Sequence, residues 1–101
     1  MNECVITGVG VVSAIGIGKE KFWESVVNNK SGIRDVSLFD LSKYNCKKAA
    51  EVKEIVDKND RAYKFLETAV EEAISDAKLF LSDIYKQKVK VVIGSAHGSL
   101  I

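Results

Sequence analysis

Apolar side chains recur along this chain with two different periods. From Glu3 to Val12 both parities are apolar, with Val5, Ile6, Val9, Val11 and Val12 forming a β-branched run. A strand covered on both faces reads this way, because each side of the pleat then meets apolar surroundings. The run Lys88 to Gly94, KVKVVIG, has the same character and ends at a glycine, so it predicts a second buried strand. Lys19 to Asn28 instead places Phe22, Trp23, Val26 and Val27 at helical spacing and runs into Asn28, Asn29 and Gly32, residue types that suit a helix terminus.

The strongest periodic signal begins near Asp60. Ala62, Phe65, Leu66, Ala69, Val70, Ala73, Ile74 and Ala77 form one stripe, while Lys64, Glu67, Glu71, Glu72, Ser75 and Lys78 take the other side. The alanines predict an axis that sits close to its neighbour, since only a methyl separates the backbones. Residues 31–56 read as loop, with extended pieces at Val36 to Phe39 and Ala49 to Val52. Two buried strands with intervening helices imply an α/β class with a parallel pair and a right-handed crossover. A parallel sheet needs more than two strands and cover on both faces, so the expectation is an incomplete portion of a larger fold.

Composition narrows the function. A chain of 101 residues, 47% hydrophobic and 29% charged, has room for one small folded domain. Fifteen basic residues against fourteen acidic ones leave a net charge of +1, which argues against nucleic acid or a membrane surface as partner. Glu3 and the glycines at 8, 10, 16 and 18 break up any signal peptide or membrane span, so a cytoplasmic protein is expected. Cys4 and Cys46 stand far apart without a ligand cluster, as reduced thiols do, and no metal site is expected.

The stretch TGVGVVSAIGIG raises the question of a phosphate-binding loop. A dinucleotide loop needs G-x-G-x-x-G, but Gly8-x-Gly10-x-x leads to Ser13. The short-chain dehydrogenase pattern T-G-x-x-x-G-x-G also fails, because seven residues separate Gly8 from Gly16. Asp35 and Asp40 lie in loop-like sequence rather than at the end of a second strand, where a ribose would be held. The spacing favours a geometric role: Gly8 and Gly10 permit close strand approach or a bulge in a crowded sheet, and Gly16 and Gly18 turn the chain into its helix. No cofactor is expected.

These residues carry a resemblance. VITGVGVVSAIGIGKEKFWESVVNNKSGI is similar to the start of β-ketoacyl-acyl carrier protein synthases, condensing enzymes of thiolase-like fold, in which V-T-G-x-G-x-V-S-P-x-G precedes a helix and a G-x-S-G-I turn. The likeness continues through LFDLSKY, AAEVK, DRAYKFLETAVEEAISDAKL and KVVIGSAHGSL, so it spans nearly the whole of 1–101. Ala14 stands where proline is usual, Asn29 where glycine often precedes the lysine, and Ala96-His97-Gly98 where glycine or apolar residues are common.

The resemblance implies the N-terminal part of a synthase that condenses an acyl thioester with malonyl-acyl carrier protein in fatty-acid or polyketide synthesis. In such enzymes a cysteine nucleophile takes the acyl group, two histidines assist decarboxylation, and backbone N–H groups hold the thioester oxygen. All three side chains would lie beyond Ile101, so this segment is expected to hold no catalytic residue and to be inactive alone. The complete enzyme would meet acyl carrier protein and form a homodimer or a ketosynthase-type heterodimer. A second reading is a non-catalytic partner of chain-length-factor type, and a third is a short-chain oxidoreductase. His97, the only histidine, falls where the family borders its acyl pocket, which makes it the candidate substrate-binding residue; a turn histidine with its polar edge in water fits as well. Cys4 reads as a small buried hydrophobe inside the first strand. Cys46 lies near Lys43, Lys47 and Lys48 without a partner base, and neither thiol is assigned a role.

Overall fold

A computed structural model describes residues 2–55 and 59–97, and in it the chain divides at Val11. Val11–Val56 forms one unit, and Met1–Gly10 with Asp57–Ile101 forms the other.

The first unit opens with a tight hairpin. β1 (Val12–Ser13) and β2 (Gly16–Ile17) pair antiparallel, with Val12 opposite Ile17 and Ser13 opposite Gly16. The Ser13 hydroxyl donates to the Gly16 carbonyl at 2.8 Å and accepts the Ile15 N–H at 3.3 Å, so the side chain closes the turn on itself. Gly18 follows with φ 96° and ψ 144°, a conformation that a Cβ would disfavour, and caps the start of α1 (Lys19–Val27). Its N–H donates to the Val11 carbonyl at 2.9 Å. Inside α1 the buried Ser25 hydroxyl donates to the Ile15 carbonyl at 2.7 Å and fastens helix to turn. The helix stops at Asn29, whose φ of 55° lets the Lys30 N–H reach back to the Ser25 carbonyl at 2.9 Å.

Farther on, β3 (Ile33–Asp35) and β4 (Lys48–Ala50) form a second antiparallel ladder, with Ile33 opposite Ala50 and Asp35 opposite Lys48. The Val36 N–H continues it to the Lys47 carbonyl at 2.9 Å. The Glu51 carboxylate then accepts both the Ser37 N–H at 3.0 Å and the Ser37 hydroxyl at 2.9 Å. Val52, just beyond, is the buried apolar residue among the described residues of this unit. Phe39 and Tyr44 meet edge to face with ring centroids 6.3 Å apart, which orders the connection between the strands.

In the second unit α2 (Arg61–Asp76) carries the predicted stripe, and α3 (Leu81–Lys86) follows it. Ala69, Ala73 and Ala77 are half-buried, whereas Leu66 and Val70 on the flank are exposed. The reason is the chain laid across the alanines. A Cβ at Gly10 would collide with the Ala69 carbonyl oxygen and come within 3.0 Å of the Ala73 nitrogen, and one at Gly8 would stand 2.7 Å from the Ala77 nitrogen. Glycine facing alanine thus brings two backbones into direct contact. α2 ends as Lys78 adopts φ 58° and the Leu79 N–H donates to the Ile74 carbonyl at 3.2 Å.

Several expectations need correction. The parallel pair expected of Glu3–Val12 and Lys88–Gly94 makes no ladder; both ladders among the described residues are antiparallel and join other segments. A strand exists only with a partner, and Val5, Ile6, Val89, Val91, Val92 and Ile93 have their side chains exposed instead of covered. Of the extended pieces placed at 36–39 and 49–52, the first pairs three residues earlier, at 33–35, and the second overlaps its ladder strand at 48–50. Gly8 and Gly10 do serve close approach, but to a helix rather than to a strand. α3 went unanticipated because six residues are too few to display a helical period.

Candidate functional site

His97 is exposed, in a bend that follows the 88–94 run. Nothing lies within 4 Å of a Cβ built on Gly94, and Val92 is 94% exposed, so the segment leading to the imidazole is uncovered on the described residues. Gly98 and the remainder of the turn lie outside the described residues. The structure therefore places His97 at an open surface and brings no other candidate site residue to it among the described residues.

The glycine stretch divides between the units: Gly8 and Gly10 pack on α2, while Gly16 and Gly18 shape the hairpin and the start of α1. At the hairpin the Ile15 N–H is taken by Ser13 and the Gly18 N–H by Val11. Those two donors are therefore taken within the turn and are not available to a phosphate.

A cavity of about 280 Å³ opens beside that hairpin. Lys21, Lys30, Arg34 and Lys53 line it together with Glu24, Glu51 and Glu54. Four cations against three carboxylates leave almost no net field, which suits a solvated cleft better than a ligand site of either sign. Partial desolvation works to raise the Glu51 carboxyl. Hydrogen bonds from the Ser37 hydroxyl and from the Ser37 and Leu38 N–H groups, with Lys53 nearby, outweigh it and hold the group below its ordinary range. Asp40 is lowered in the same way by the N–H and hydroxyl of Ser42.

Both cysteines are exposed. For Cys4 this corrects the expectation of a packed hydrophobe, because the faces of the segment around Val5 and Ile6 are not covered. The Cys46 thiol donates to the Lys48 carbonyl at 3.5 Å. Among the described residues no group of three His, Cys, Asp or Glu side chains could hold a metal ion, and no helix is long and apolar enough to cross a membrane.

Ser13, Ser25, Glu51 and Asp76 are the positioning residues that the sequence pattern did not single out. Ser13 had a signal, a serine three residues before a glycine in a turn-forming stretch; the other three sit in ordinary polar positions.

Comparison with known proteins adds what the geometry leaves open. Residues 1–100 match the family described as beta-ketoacyl synthase, N-terminal domain. A 3-oxoacyl-[acyl-carrier-protein] synthase 2 from Synechocystis sp. is 29% identical over 98% of this chain and 26% of its own length. A putative polyketide beta-ketoacyl synthase 1 from Streptomyces halstedii is 33% identical over 96% of this chain and 25% of its own. Among solved structures, the ishigamide ketosynthase/chain length factor superposes with a TM-score of 0.70 at 30% identity, covering 78% of this chain and 22% of that one. A type II PKS acyl-carrier protein in complex with its ketosynthase superposes with a TM-score of 0.64 at 29% identity, covering 78% and 20%. The chain thus spans about a quarter of the length of the curated relatives it matches.

Proposed function

We infer that this chain, which belongs to the β-ketoacyl synthase family by a match of residues 1–100 to its N-terminal domain, is the opening segment of a 3-oxoacyl-acyl carrier protein synthase. The complete protein would condense an acyl thioester with malonyl-acyl carrier protein in fatty-acid or polyketide synthesis. The match over residues 1–100 carries this reading. The exposed apolar runs around Val5 and Ile6 and from Val89 to Ile93 support it, since such surface is covered when further strands and helices join a sheet. In that setting the two runs would become the parallel strands of a thiolase-like fold.

The chemistry asks for a thiolate that is both nucleophile and leaving group, and for N–H donors aimed at the thioester oxygen. Cys4 and Cys46 are not proposed for that role; the cysteine and its two histidines would lie beyond Ile101. What this segment contributes is scaffold. Gly8 and Gly10 seat the first run on α2, Ser13 closes the hairpin turn, and Ser25 ties that turn to α1. His97 is proposed to border the acyl pocket, where an imidazole would restrict the chain accepted. The partners of the complete protein would be an acyl carrier protein and a second ketosynthase-type subunit, and its place the cytoplasm.

A relative's description as ketosynthase/chain length factor favours one further reading, a non-catalytic partner subunit. Malonyl-dependent elongation of an acyl carrier substrate by the full-length protein alone tests the choice. Condensation supports the synthase. Its loss, with glutamine or glycine at the nucleophile position, supports the partner.

A further inference from the structure

We draw no further inference here: the strongest candidate, the apolar groove of about 380 Å³ lined by Val36, Phe39, Leu41, Tyr44, Cys46 and Ala49, is an unpartnered surface and nothing in the structure shows what covers it.

Discussion

The Asp76 carboxylate accepts the backbone N–H of Val9 at 3.0 Å across 67 positions of sequence. Asp76 is the last residue of α2, where a negative charge meets the negative end of the helix dipole and is disfavoured. The bond to Val9 offsets that cost by anchoring the first run to the helix. Asp76→Ala is expected to lower stability by about 1 kcal/mol in urea unfolding of the full-length protein, with Asp76→Asn, which keeps an acceptor, losing less. Equal stability of all three proteins would remove the anchoring role.

Next to this bond, Gly10 has no room for a side chain because the Ala69 carbonyl occupies the space. Gly10→Ala should cost about 1–3 kcal/mol as helix and run are pushed apart. Stability of Gly10→Ala equal to that of the parent would show that the tight contact on α2 is not what Gly10 provides.

Glu51 makes the second ladder sensitive to acid. Its carboxyl is lowered in the folded chain, so the stability it contributes is present above the ordinary carboxylate value and is lost as pH falls through the folded one. The amide resonance of Ser37 should therefore titrate with a midpoint below the usual glutamate value of about 4.3, and Glu51→Gln should abolish that titration. A midpoint at or above the usual value would contradict the hydrogen-bonded carboxylate.

How far these features could be read from sequence depended on whether neighbours along the chain or distant ones decide them. The α2 stripe and the end of α1 at Asn29 were legible, because helical period and left-handed caps are local properties. The need for close approach at Gly8 and Gly10 was also legible, but its partner was not, since nothing in the run itself points to Ala69 and Ala73 some sixty positions away. The runs at 3–12 and 88–94 form no parallel ladder with each other here for the same reason. A β-branched run states a preference, and pairing depends on what lies beside it. His97 could be singled out as the lone histidine, yet only the resemblance to ketosynthases attached a role to it.

That role has a direct test in the complete enzyme. His97→Gly should broaden the range of acyl chains elongated, with longer chains gaining most, while the parent keeps a narrower profile. An unchanged profile of elongation rate against chain length would leave His97 as a surface turn residue, in keeping with its exposure here.

Locating the covalently held acyl group tests the central claim most directly. After incubation of the full-length protein with an acyl-acyl carrier protein, peptide mass spectrometry should find the acyl thioester on a cysteine beyond residue 101, with Cys4 and Cys46 unmodified. An acyl group carried through turnover by Cys4 or Cys46 would contradict a segment that supplies scaffold and leaves the nucleophile to the rest of the enzyme.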